Sequence, residues 1–310
     1  MQTPLENARA AQVNISKFAL RTPLLRLNAD SEHEVFLKVE SLQPIGSFKI
    51  RGAANAMAHL NSGLGVLTAS AGNMAQGVAY CARRMGIQAT VVTPETAPET
   101  KLKAVERLGG RIIKVPFEEW WRTFEERSYP GVDATFIHAF DDDEVMAGNG
   151  VIGLELIEDL PDLETVVVPW GGGGLACGIA AVVKSLKPSV KVYAAECETG
   201  APLTASMAAG KPVIVDYRPS FVDGIASKTV FPRMLDLARK WLDGTFVMTL
   251  DEAASAIRLA AERNRVILEG AAGCALAAAV SDRVQGKVVA IASGGNIDFG
   301  ILREILDGRR

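Results

Sequence analysis

The chain has 310 residues, 48% of them hydrophobic, and a formal charge of −3. It can build one large domain or two modest ones, and it lacks the basic stripe of a nucleic-acid binder. No apolar stretch is long and charge-free enough to span a bilayer, and the polar start Met1-Gln2-Thr3-Pro4-Leu5-Glu6 has no signal-peptide pattern.

Short β-branched runs alternate with longer Ala-, Leu- and Arg-rich segments, which predicts an α/β protein with buried, largely parallel strands. The first run is Val35-Phe36-Leu37-Lys38-Val39-Glu40. Others hold Val91-Val92, Ile112-Ile113, Val166-Val167-Val168, Val190-Lys191-Val192-Tyr193 and Val288-Val289-Ala290-Ile291. Thr96, Pro98 and Glu99 open a helix that Gly109-Gly110 closes, and Asp251-Glu252 open one through about residue 268. Asp141-Asp142-Asp143-Glu144 reads as a solvated turn or helix start. Cys81, Cys177, Cys197 and Cys274 form no CxxC pair, so they read as small hydrophobes in a reducing, cytoplasmic setting. Residues from about 50 to 145 form one uninterrupted βα series. The expected layout is therefore a large domain from 1–48 and 146–310 with a small domain, 49–145, inserted.

Four loops stand at the carboxyl ends of strands, where open α/β sheets bind ligands. In the first, Gly46, Ser47 and Phe48 precede Lys49 at the start of a small-residue helix. An ammonium there is electrostatically disfavoured, so Lys49 is either a nucleophile of lowered pKa or a snorkelling surface lysine. The second, Ser70-Ala71-Gly72-Asn73, leads into Met74 and serves as a helix cap or an anion site. The third, Gly171-Gly172-Gly173-Gly174-Leu175, spends too much backbone entropy for a plain turn and reads as a phosphate cradle. No Lys-Ser/Thr follows, so it is not a nucleotide P-loop. The fourth, Ser293-Gly294-Gly295-Asn296, is a capping turn or a source of a neutral hydroxyl for a ring nitrogen.

Jointly these segments, with Ile50-Arg51-Gly52-Ala53 and Asp223-Gly224-Ile225-Ala226, resemble the fold-type II pyridoxal-phosphate enzymes, and within them the threonine/serine dehydratase and serine racemase group. The resemblance implies two open, twisted, mostly parallel sheets flanked by helices. It implies pyridoxal 5'-phosphate as cofactor, an amino-acid substrate and a homodimer or larger homo-oligomer. Residue by residue, Lys49 would carry the Schiff base and Phe48 would pack beside the ring. Asn73 would bond the ring's 3′-oxygen, and Gly171, Gly172, Gly173, Gly174 and Leu175 the phosphate. Ser293 would face the pyridine nitrogen, with Gly224 and Glu269 near the ring. Ser70 and the backbone of Ala71, Gly72, Asn73 and Met74 would hold the substrate carboxylate.

The implied activity is α,β-elimination of a β-hydroxy-amino acid to a 2-oxo acid and ammonia. Racemases of the group carry a second serine where this chain has Ala71, which favours dehydration. Met74 replaces the usual His and Trp170 a small aliphatic residue, so a bulkier or aromatic substrate is an alternative to threonine or serine. No metal is expected. Glu196 is the alternative cation ligand, but the Asp that accompanies it in metal-binding relatives is missing. The chain ends shortly after the Ser293 loop, which implies no C-terminal effector domain. An amino-acid racemase or β-replacement synthase of the same fold, and more remotely a nicotinamide dehydrogenase using the Gly171 loop, are the competing readings.

Overall fold

The structure, a computed structural model, describes residues 3–29, 33–60 and 63–310. Ten strands divide into two sheets. The first runs β1 (Leu24–Arg26), β2 (Glu34–Val39), β10 (Lys287–Ala292), β7 (Thr165–Pro169), β8 (Lys191–Cys197) and β9 (Gly244–Met248), in that spatial order. The second runs β5 (Arg111–Val115), β4 (Ala89–Pro94), β3 (Gly65–Ala69) and β6 (Ala134–Phe136). Every pairing is parallel except β1 with β2. This agrees with the α/β fold expected from the sequence.

The central strands show why the run Val166-Val167-Val168 reads so clearly. All three side chains are buried, and they alternate between the hydrophobic clusters on the two faces of the sheet. Each such burial is worth about 1.5–3 kcal/mol. Register then sets the loops. Val289 pairs with both Phe36 and Val166, so β2, β10 and β7 end side by side. The Lys49 loop, the Ser293 loop and the glycine loop therefore emerge from three adjacent strands. In the other sheet β3 delivers the Ser70 loop and β6 the segment 137–141.

Helices cover both sheets. In chain order they are α1 (Pro4–Ile15), α2 (Lys49–Ala58), α3 (Asn73–Met85), α4 (Glu99–Arg107), α5 (Phe117–Glu126) and α6 (Asp143–Asp159). Then follow α7 (Gly174–Leu186), α8 (Pro202–Ala209), α9 (Pro232–Trp241), α10 (Leu250–Asn264), α11 (Gly270–Ala279) and α12 (Phe299–Leu306). Capping boxes, Thr3 with Glu6 and Thr249 with Glu252, start α1 and α10. The latter helix ends at Asn264, four residues short of the expected end. Arg265 takes a left-handed conformation (φ 60°), and the chain then runs without helix into the Glu269 turn. Asp142 caps α6, as a helix-start reading requires. Its neighbour Asp141 departs from the solvated expectation: it is buried and paired with Arg127 and Arg233.

Helix α6 is apolar nearly all round because it serves two cores. Val145, Ala147 and Val151 pack with α1, α2 and α3, while Ile152 and Leu156 pack with β7 and α7. Its glycines permit close backbone approach: a Cβ on Gly148 would strike the Arg51 carbonyl, and one on Gly150 would lie 3.1 Å from the Gly178 carbonyl.

A buried ionic network fixes α2. The Arg51 guanidinium donates to Glu40 (2.8 and 2.9 Å) and Glu155 (2.8 and 2.9 Å). Lys38 pairs with Glu155 at 2.6 Å, and Thr22 donates to Glu40 at 2.6 Å. Burial pushes the Glu40 carboxyl up, but Arg51, Thr22 and Lys38 together hold it below its ordinary range. Lys49 lies two residues from Arg51 on the same helix, so its position inherits this anchoring.

Candidate active site

Lys49 is the first residue of α2. The preceding loop is clasped to the fourth loop: Ser47 bridges to Gly294, and the Phe48 N–H donates to the Ser293 carbonyl at 2.9 Å. The Lys49 Nζ lies 5.1 Å from the Phe48 ring centroid and donates to the Ala139 carbonyl at 2.6 Å. Burial drives its pKa down to about 8, against an opposing pull from Glu269. This half-buried placement, with Nζ bonded to a main-chain carbonyl, is unlike that of a snorkelling surface lysine.

The glycine loop bridges β7 and α7. Gly173 is the N-cap, with φ 92° that favours glycine. A Cβ on Gly172 would run into the Phe140 ring, and one on Gly173 into the Trp170 ring. The main-chain N–H groups of Gly171, Gly172 and Gly173 donate no hydrogen bond among the described residues. With the first turn of α7, they form a set of outward donors suited to an anion. Trp170 itself is 1% exposed and packs into the core under the loop. It has no surface from which to touch a substrate.

Asn73 starts α3 and joins the two sheets. Its Nδ2 donates to both Glu269 oxygens (3.2 and 3.0 Å), and its Oδ1 accepts from Asn296 Nδ2 at 2.8 Å. Asn296 also donates to the Ile45 carbonyl at 2.8 Å. Glu269 is buried, and a Cβ on Gly224 would lie 3.6 Å from its Oε1. Burial raises its pKa to about 7; the Asn73 hydrogen bonds oppose this, Asp223 adds to it, and Lys101 and Lys49 oppose it again. Ser70, Ala71 and Gly72 are partly exposed beside this group, with Ser70 Oγ accepting from Gly72 N at 3.2 Å. Gly224 lies against the glycine loop, its carbonyl 3.4 Å from where a Cβ on Gly171 would stand.

Ser293 is 1% exposed, and its hydroxyl has no hydrogen-bond partner among the described residues. A buried hydroxyl left unpaired costs about 1–3 kcal/mol. Such an atom beside a lysine and an anion cradle fits a polar group bound between them.

Other sequence candidates fall elsewhere. Met74, 2% exposed, lies in the core with Ile45, Ile50 and Val78, not in the cleft. Glu196 caps α8, its carboxylate accepting from Leu203 N (2.7 Å), Thr204 N (2.8 Å) and Thr204 Oγ1 (2.6 Å). Burial raises its pKa against those bonds. Asp223 pairs with Lys101 of α4 at 2.6 Å. No cluster of three or more His, Cys, Asp or Glu among the described residues could hold a metal ion. Sequence reasoning missed the Ala139 carbonyl, which has no side-chain signature. It also missed the side-chain reach of Asn296, although that residue stood in a recognised motif.

Residues 15–294 match the family described as "Pyridoxal-phosphate dependent enzyme". The chain belongs to this pyridoxal-phosphate-dependent family. It is 41% identical to an L-threonine ammonia-lyase of Thermotoga maritima, covering 98% of this chain and 78% of that one. Among solved structures, maize serine racemase superposes with a TM-score of 0.91 at 31% identity, covering 100% of this chain and 98% of that one. The processed form of threonine deaminase isoform 2 from Solanum lycopersicum gives a TM-score of 0.89 at 32% identity, covering 99% and 88%. The family's cofactor is pyridoxal phosphate, and the residues here fit it: an amine of lowered pKa, a ring of free main-chain donors and an unpaired buried hydroxyl. No helix among the described residues is long and apolar enough to cross a membrane.

Proposed function

We propose that the protein is an ammonia-lyase of the threonine/serine dehydratase type, converting a β-hydroxy-amino acid into a 2-oxo acid and ammonia. Pyridoxal phosphate, when bound, supplies the electron sink that acidifies the substrate's α-C–H bond. Lys49 is the covalent anchor through Nζ and the base at the α-carbon, for which a pKa of about 8 is well placed. Gly171, Gly172, Gly173, Gly174 and Leu175 hold the phosphate by main-chain donors at the α7 start. Asn73 would serve the ring's 3′-oxygen, and Phe48, Gly224 and Glu269 would bound the ring. Ser293 would offer the ring nitrogen a neutral hydroxyl in place of an acid, which would weaken the sink and favour prompt loss of the β-hydroxyl. Ser70 and the backbone of Ala71, Gly72, Asn73 and Met74 hold the substrate carboxylate.

What supports the reading is residue content: the chain offers an amine at Lys49 and a methyl group at Ala71, where racemases of the group it resembles carry a second serine. An alanine has no proton to deliver to the opposite face, so racemisation, the activity named for the maize neighbour, is disfavoured. With Met74 and Trp170 both in the core, threonine or serine is preferred over a bulkier substrate. The reading includes an inserted domain of residues 49–145, the cleft against the remainder being the active site. It includes a homo-oligomer in the cytoplasm, where the four free, buried cysteines stay reduced.

The test is direct. Purified protein with pyridoxal phosphate shows the visible imine band, Lys49→Ala loses it, and L-threonine or L-serine yields 2-oxo acid and ammonia. Retention of the band in Lys49→Ala, or D/L interconversion without oxo-acid release, overturns the proposal.

A further inference from the structure

The segment between β6 and α6 contains a histidine that no role above uses. His138 is 1% exposed. Its Nδ1 accepts two main-chain N–H groups, from Phe140 (3.2 Å) and from Asp141 (2.8 Å). A ring nitrogen that accepts is unprotonated, so the proton of the neutral ring sits on Nε2. Burial first, then the Arg127 charge, favours this neutral form and takes the pKa down to about 3. The Nε2 proton finds no acceptor among the described residues. The ring lies in an aromatic box, with the Phe124, Phe140 and Phe231 centroids 4.4, 4.7 and 6.0 Å from the imidazole centroid. A phenylalanine would fill that box without an orphaned donor. What the imidazole gives in return is the Nδ1 acceptor, which closes the turn from 138 to 141.

That turn reaches the active site at two points. The Ala139 carbonyl accepts from Lys49 Nζ at 2.6 Å, and the Phe140 ring fills the space over Gly172. A carbonyl is a good berth for an amine that must act as a base. It orients the nitrogen through one N–H, leaves the lone pair free and takes no proton itself.

We propose that His138 is a positioning residue: its Nδ1 shapes the 138–141 turn so that the Ala139 carbonyl berths the Lys49 amine. This rests on the reading of Lys49 as anchor and base. His138 touches neither substrate nor cofactor, and it acts through Ala139 and Phe140.

Three substitutions separate the acceptor from the bulk. His138→Phe keeps an aromatic filler without an acceptor, His138→Asn keeps an acceptor near the Nδ1 position, and His138→Gln moves it to the Nε2 position. Two readouts apply: the rate at which full-length apoprotein forms the imine band with added pyridoxal phosphate, and kcat and KM of the holoenzyme with L-threonine. A misplaced reacting group costs up to about 100-fold, so His138→Phe and His138→Gln should each slow imine formation and lower kcat by about 10- to 100-fold, with KM within about twofold. His138→Asn should return both rates to within about threefold of the parent. Should His138→Phe fail to fold, the Asn and Gln pair carries the same contrast. Parent-like rates in His138→Phe or His138→Gln, or equal impairment of Asn and Gln, overturn the proposal. Survival of the imine band in Lys49→Ala would instead overturn the reading on which it rests.

Discussion

Glu269 ties the stability of the apoprotein to pH in a way that can be worked through. Its carboxyl is buried against Asn73 and Gly294, and burial raises its pKa from 4.5 to about 7. Between those values the folded protein keeps a proton that the unfolded chain releases. The folded state therefore binds more protons, and stability falls as pH rises through this window. Integrating the two titrations from about pH 5 to about pH 8 gives a loss of about 2.5 kcal/mol from this one group. Glu269→Gln retains an oxygen for the Asn73 amide but cannot ionise, so the loss should vanish. The assay is urea unfolding of apoprotein, parent and variant side by side at both pH values. Comparing the two chains cancels shared groups that are not coupled to Glu269, including His138, which is held neutral when folded and so acts below its ordinary 6.5; Lys49, which Glu269 pulls upward, is not among them. The expected outcome is a parent that weakens relative to Glu269→Gln by about 2.5 kcal/mol on going to the higher pH. Parallel behaviour, within about 0.5 kcal/mol, would refute burial as the dominant influence on this carboxyl.

Two further outcomes follow from buried polar groups with opposite circumstances. Ser293→Ala removes a hydroxyl with no protein partner, so apoprotein stability should hold or rise by up to about 1 kcal/mol, while holoenzyme kcat falls at least about tenfold. A loss of apoprotein stability in thermal melts would mean that the hydroxyl is already satisfied. Arg51→Met strands Glu40 and Glu155 without their shared cation, and urea unfolding should register a loss of about 3–5 kcal/mol. A loss below about 1 kcal/mol would show that Lys38 and water compensate the two carboxylates.

What the sequence made legible was local. Strands β7 and β10 are apolar runs rich in Val and Ile because both their faces are buried, and a run of that kind is itself the signal. The edges were harder. β1 is three residues long and half-exposed, and β9 is only partly buried over most of its length, so neither carries a strong pattern. Lys49, the glycine loop and Ser293 stand out in the sequence because each lies in a compact motif whose composition is costly without a purpose. The Asn73–Glu269 and Asn73–Asn296 bonds span 196 and 223 residues of chain. The packing of one sheet's loops against those of the other creates them, and no window of sequence contains it. Met74 shows the converse error: an unusual residue in a site motif whose side chain points into the core.

Helix α6 has a consequence for how the molecule comes apart. Its 17 residues contribute to two hydrophobic clusters, one beneath each sheet, and its glycines let α2 and α7 press against it from different sides. Melting either cluster strips one flank of this helix and so withdraws support from the other. Two sheets joined in this way are expected to lose structure together, with unfolding transitions that coincide when followed by different probes.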